Sequence, residues 1–223
     1  TEPEKTFEEV LDEHPVSIQV NGQWQTFPNA KAAEEASYEE YKANLRRNAK
    51  NFRITDEHLG EGGPKAKFQA NVNAIRLLKE LEAAGQQASP EQQEVLSRYV
   101  GWGGLSDAFD PEKPAWTLEY AQLKELLTPE EYAAARSSTL NAHYTSPTVI
   151  KAIYDAVGRM GFETGNILEP SMGVGNFFGM LPEEMRNSRL YGVELDPVSG
   201  RIAKQLYPKA DITVGGFETT DRR

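Results

Sequence analysis

From Asn166 to Phe178 the chain reads Asn-Ile-Leu-Glu-Pro-Ser-Met-Gly-Val-Gly-Asn-Phe-Phe, and this stretch restricts the fold more than any other. Asn166 to Leu168 opens it as a short apolar run, which reads as a buried strand. Glu169 sits at the strand's end, followed by two glycines one residue apart and a helix start. Glycine lacks Cβ, so a ligand can approach the backbone closely there. The open N–H groups of the following helix face the same crevice. A strand, a Gly-x-Gly turn and a helix is how open α/β sheets build a nucleotide site at the carboxyl ends of their strands.

The same residues narrow the ligand. A dinucleotide fingerprint needs a third glycine three residues after Gly175, and position 178 is Phe, which weakens the reading as another nucleotide-dependent α/β enzyme. No Gly-x-x-x-x-Gly-Lys-Ser/Thr run exists to cradle a phosphate. Glu169, four residues before Gly173, would repel an anion. It suits a positive or hydrogen-donating group, such as the amine of a methionine moiety. The run Glu169 to Phe178 resembles the first motif of S-adenosylmethionine-dependent DNA methyltransferases, especially the N6-adenine type. That resemblance implies a cofactor-binding turn formed by Glu169, Pro170, Gly173, Gly175 and Phe177, with Glu169 and the glycines around the methionine end. A lone Gly-x-Gly can also do no more than shape a tight βα turn; the flanking segments decide against that.

Leu190 to Asp196 is a second apolar strand ending in two carboxylates. Glu194 lies 25 residues after Glu169, close to the spacing of about 20 at which βαβ units place the acid that holds ribose hydroxyls. A carboxylate is acceptor-only and can take both hydroxyl protons. Glu194 is the candidate for this role, against a plain solvated strand end, and Asp196 reads as the cap of the next helix. A helix Pro197 to Leu206 and a third strand, Asp211 to Val214, follow. In the methyltransferases an acid and an aromatic near the adenine stand at this third strand end. Phe217 fits the aromatic, whereas Gly216 takes the acidic position with Glu218 nearby. Upstream, Tyr144-Thr-Ser-Pro147 is similar to the Tyr-Thr-x-Pro segment of the family, which implies that Tyr144 and Thr145 serve the cofactor carboxylate. The plain reading of the same residues is a helix capped by Ser146 with Pro147 in its first turn. Its apolar positions would be Val149, Ile150, Ile153, Tyr154, Val157 and Met160.

Composition excludes several chemistries. The chain has no cysteine, so disulfides, thiolate zinc sites and cysteine nucleophiles are ruled out, and a reducing, cytoplasmic setting is compatible. Its three histidines, His14, His58 and His143, are scattered, so no metal site is expected; His143 reads as a surface or packing residue. No apolar run is long enough for a membrane span, and no signal peptide is expected. The net charge of −10 is opposite to the basic footprint of most nucleic-acid binders. Arg46, Arg47, Lys50 and Arg53 form a local basic cluster that reads as a solvated helix end. DNA, the partner that the resemblance implies, is therefore expected to be gripped mainly outside this chain.

Thr1 to Glu13 is acidic and reads as helical. Val16 to Phe27 alternates about Asn21-Gly22, the pattern of a hairpin, with Val16, Ile18 and Val20 on one face and Trp24 and Phe27 placed to cover it. Helices are expected over 29–50 and 64–84, the second with a stripe of Phe68, Val72, Ile75, Leu78 and Leu81. Ser89-Pro-Glu-Gln92 opens another and sets Val95, Leu96 and Tyr99 on one face. In the glycine-rich run Tyr99 to Phe109, Trp102 is either a stacking surface for a base or, more in keeping with its type, a core residue. This run is similar to a segment preceding the methylase motifs in very large proteins of bacterial mobile elements that join a methylase-like domain to a helicase. Two short helices, 118–127 and 129–137, lead to Asn141.

The expected architecture is α/β: an N-terminal extension over residues 1–63, a helical region over 64–140, and the first half of a Rossmann-like, S-adenosylmethionine-binding sheet over 141–223. The Asp/Asn/Ser-Pro-Pro-Tyr/Phe motif, which in the family accepts hydrogen bonds from the target amine, does not occur in this sequence. The chain therefore reads as the cofactor-binding portion of a DNA adenine-N6 methyltransferase, inactive by itself, with S-adenosylmethionine as its cofactor and no catalytic residue of its own. The alternative is a degenerate methylase fold kept as a DNA- or protein-binding scaffold beside a helicase. Truncation after the third strand is expected to leave the first strand with an unpaired edge, either covered by an upstream helix or another chain or else loosely ordered.

Overall fold

The structure is a computed structural model that describes residues 14–142 and 144–220. The expected helix over 1–13, His143, the side chains of Arg46 and Arg47, and residues 221–223 lie outside the described residues. The chain divides into two units, Thr1–Ala49 and Lys50–Arg223.

In the first unit, β1 (Val16–Val20) and β2 (Gln23–Phe27) form the hairpin. Asn21 and Gly22 both adopt positive φ, 54° and 74°, which matches the twist of a two-residue hairpin turn. This turn fixes the register, and the register corrects the sequence reading. Val16 pairs Phe27 and Val20 pairs Gln23, so Trp24 opposes Gln19 on the other face and is 71% exposed. Period-2 alternation puts Phe27 with the valines and keeps Trp24 away from them. The hairpin packs on α1 (Ala30–Asn48). Asn29 Oδ1 caps that helix through Ala32 N–H at 2.9 Å, and Glu40 accepts from Asn21 N–H at 2.6 Å.

The second unit has one hydrophobic core that runs from its helices into its sheet. α2 (Pro64–Ala83) buries the whole expected stripe, Phe68 to Leu81. α3 (Pro90–Ser97) starts on a reciprocal capping box, with Ser89 Oγ accepting from Gln92 N–H and Gln92 Oε1 from Ser89 N–H. Leu96 and Tyr99 are buried, but Val95 stays exposed, one step round the helix from the contact face. Trp102 is 1% exposed and meets Phe68, Tyr99 and Phe109 edge to face, so it is a core residue and no base can stack on it. α4 (Thr117–Leu126) and α5 (Pro129–Ser138) follow, the latter started by a second capping box between Thr128 and Glu131.

Glu131 does more than cap. Its buried carboxylate accepts from Lys79 Nζ of α2 at 2.9 Å and from Arg201 at 2.7 Å. Arg201 belongs to α8 (Pro197–Leu206), which covers the sheet, and also reaches Glu82 at 2.9 Å. The network ties the helical region to the sheet's own helix, the kind of paired and fully bonded arrangement a buried charge requires.

α6 (Pro147–Arg159) begins at Ser146 and Pro147 as expected, although the Ser146 side chain makes no capping bond. It leads to the parallel sheet β3 (Asn166–Glu169), β4 (Arg189–Glu194) and β5 (Asp211–Val214), ordered β3-β4-β5. A helical region followed by a three-stranded parallel sheet is the α/β arrangement that the sequence leads one to expect. β3 is not the buried strand expected. It pairs with β4 alone among the described residues, and Leu168 is 43% exposed. Among the described residues no other strand of this unit lies along its free edge, because β4 and β5 both stack on its opposite side. Val149, Ile153 and Met160, part of the expected stripe of α6, are likewise uncovered.

Candidate functional site

At the carboxyl ends of β3 and β4 lies a crevice of about 510 Å³, within the usual size range of small-molecule sites. The turn after β3 makes its floor. Met172 N–H bonds to Val193 O at 3.0 Å, which lays the turn against β4. Gly173 N–H then donates to Glu194 Oε2 at 2.6 Å, and Asp196 N–H to Glu194 Oε1 at 2.8 Å. α7 (Asn176–Gly179) opens beyond the turn and is held to α6 by Tyr154 Oη donating to Phe177 O at 2.8 Å.

Of the residues singled out above, Tyr144, Thr145, Glu169, Gly173, Phe177 and Glu194 line this crevice together. Three others stand elsewhere. Pro170 lies on the apolar side between α6 and β3. Gly175 faces the core, where a Cβ would come within 2.5 Å of the Tyr207 ring. Phe217 is 48% exposed and outside the lining. At Gly216 the side chain of Glu218 folds back, its Oε1 2.2 Å from where a Cβ would sit. The carboxylate of Glu218 thus occupies the room that an acidic side chain at 216 would need. Asp196 caps α8, as expected, by accepting from Ser199 N–H at 2.7 Å.

The space left by the missing Cβ atoms is filled from within. Tyr144 inserts between two glycine loops: a Cβ on Gly173 would meet its ring at 2.4 Å, and one on Gly101 at 2.5 Å. Both glycines have positive φ, 56° and 68°. The Tyr144 hydroxyl lies 3.1 Å from Ser199 Oγ. Gly101 is fixed in turn by Asn71, whose side chain donates to Gly101 O and accepts from Val100 N–H at 2.9 Å. These supports were not singled out from the sequence. One signal was there: Asn71 is a polar residue set inside the apolar stripe of α2, and it is fully buried.

Three carboxylates, Glu169, Glu194 and Asp196, line the crevice, and no lysine or arginine does so among the described residues. Glu169 Oε2 and Asp196 Oδ2 are buried without a hydrogen-bond partner there. Burial, and then the neighbouring Glu194, push the Glu169 carboxyl up to about 8. Burial also raises Glu194, opposed by the N–H groups of Asp196 and Gly173. Such a site disfavours phosphate and favours a ligand that brings cationic or hydrogen-donating groups. No cluster of potential metal ligands occurs among the described residues, and none of their helices is long and apolar enough to cross a membrane.

Two known proteins are similar to parts of this chain. It is 24% identical over 159 residues to Defense against restriction protein B of Escherichia phage P1, covering 71% of this chain and 6% of that protein. It is 36% identical over 78 residues to Type II methyltransferase M.CvrRI of Paramecium bursaria Chlorella virus XZ-6E, covering 35% of this chain and 20% of that protein. The chain thus spans a small part of either relative. No family model and no solved structure matches it. A relative named as a methyltransferase thus covers part of the chain, at low coverage.

Proposed function

We propose that this chain is the S-adenosylmethionine-binding portion of a DNA methyltransferase whose parent activity is methyl transfer to adenine N6. The observation that carries this reading is the crevice at the strand ends, where Thr145, Glu169, Gly173 and Glu194 converge and no described cation intrudes. The unpartnered Glu169 oxygen suits the cofactor's methionine ammonium, Glu194 its ribose hydroxyls, and Thr145 its carboxylate. S-adenosylmethionine carries the activated methyl group; the residues of this chain bind and orient it. The similarity to a type II methyltransferase supports the reaction class. DNA is the proposed macromolecular substrate, with the base flipped toward the cofactor.

A second reading, a methylase fold kept as a binding scaffold, is favoured by the ring of Tyr144 packed on Gly173, which fills the room a ligand could use. Calorimetric titration of the chain with S-adenosylmethionine separates the two. The cofactor reading expects saturable binding with one site. A folded chain that gives no heat, alone or in a longer chain continued past Arg223, would leave the scaffold.

A further inference from the structure

A second crevice, of about 840 Å³, lies at the opposite end of the sheet, where β4 and β5 begin. It is lined by Lys50, Arg53, Arg186, Arg189 and Lys209, five cations from three separate segments of the chain, with Asp211 as the one carboxylate among the described lining residues. The chain as a whole carries a net charge of −10, so this is a local reversal of sign. Internal pairing does not account for it. Arg186 pairs with Glu183 at 2.7 Å, and Arg53 donates to the carbonyl of Leu181. Lys50, Arg189 and Lys209 are exposed and have no ion-pair partner among the described residues. Gathering like charges on a concave face costs free energy that an anion would offset.

The segment carrying Lys50 and Arg53 is held in place by backbone bonds, not left to wander. Phe52 N–H donates to Leu206 O at 2.8 Å, Ile54 N–H to Gly179 O at 2.9 Å, and Lys209 N–H to Asn51 Oδ1 at 3.0 Å. We infer that this crevice is a docking face for the phosphodiester backbone of a nucleic acid. The chemistry favours a polyanion over one small phosphate. The cations are all exposed side chains spread over an open face, and no helix N-terminus lines it with converging N–H groups, the usual device for a single phosphate. Exposed Lys and Arg side chains are what track a nucleic-acid backbone, and Ser188 and Asn51 add hydrogen-bonding groups of the type that contact phosphate oxygens. This face is separate from the crevice at the strands' carboxyl ends and does not depend on what binds there.

The test is fluorescence anisotropy of the full chain with a short labelled DNA duplex, over about 50 to 200 mM salt. The variant Lys50→Gln/Arg189→Gln/Lys209→Gln is compared with Arg76→Gln/Arg159→Gln/Lys204→Gln, which removes the same charge from exposed positions elsewhere. Three lost phosphate contacts make the slope of log affinity against log salt shallower by about 2.7, while the control keeps the native slope. Titration with S-adenosylmethionine is unchanged in both variants. Equal slopes in the two triple variants, or no duplex binding at low salt, overturn the inference. Displacement of the duplex by micromolar pyrophosphate would assign the crevice to a small phosphate ligand and overturn it as well.

Discussion

The backbone N–H of Gly173 donates to Glu194 Oε2 at 2.6 Å, joining the turn after β3 to the end of β4. The glycine turn and the second-strand carboxylate therefore form one unit. A carboxylate oxygen can accept more than one hydrogen bond, so Glu194 can hold the turn and a ligand hydroxyl together.

Glu194→Ala removes both partnerships. Loss of a hydrogen bond to a charged group costs on the order of 1.5–3 kcal/mol, so S-adenosylmethionine affinity is expected to fall tenfold or more in calorimetry. Glu194→Gln keeps the shape and one acceptor and is expected to lose less. Equal affinity in all three proteins would remove Glu194 from the site.

Gly173→Ala forces a Cβ into the Tyr144 ring at a positive φ. Overpacking and the left-handed backbone together are expected to cost on the order of 2–4 kcal/mol, seen as a lower Tm. Tyr144→Ala in the same chain removes the clash. A double-mutant cycle should then show a favourable coupling of about 0.5–3 kcal/mol; strict additivity would mean that the ring is not seated on Gly173.

Glu169 sets a pH dependence. Its carboxyl titrates near 8 in the folded chain, raised by burial and by Glu194 from an ordinary value of 4.5. A raised acid in the folded state binds more protons than the unfolded chain between those two values, so its contribution to stability is complete below 4.5 and is lost as pH rises through about 8. A cationic ligand needs the ionised form, so binding should strengthen from pH 6 to 8. Calorimetry across that range reads the trend, and Glu169→Gln should abolish it.

Glu131→Ala breaks the network to Lys79 and Arg201 and removes half of the capping box. Breaking a buried pair on one side costs about 3 kcal/mol or more, measurable as a drop in urea midpoint at pH 7. Burial opposes ionisation of Glu131, but Lys79, the Thr128 N–H and Arg201 outweigh it and leave its carboxyl below the ordinary value. Its stabilisation is therefore present above the unfolded value and fades as pH falls through the folded one. Wild type and variant should converge in strong acid.

Local chemistry determined much of this protein directly. Asn21-Gly22 specifies a hairpin because both residues tolerate positive φ, and Ser89, Thr128 and Asp196 start helices because each offers an oxygen to a free N–H within three residues. The order of strand, glycine turn and strand, with Glu169 and Glu194 at the strand ends, is likewise written along the chain, and the crevice brings those two residues together. Only tertiary structure decided what fills the glycine turn, since Tyr144, Gly101 and Asn71 are far apart in sequence and meet through α2 and the loop after α3. It also decided that Trp24 faces out and Trp102 in, because one depends on pairing register and the other on a core assembled from several helices. The five cations at the far end of the sheet belong to the same class: composition averages them into a net charge of −10, and only the fold sets Lys50, Arg189 and Lys209 around one hollow. Contacts within a turn or a helical cap are fixed by neighbours in the chain, whereas contacts across a core or a crevice depend on how whole elements pack.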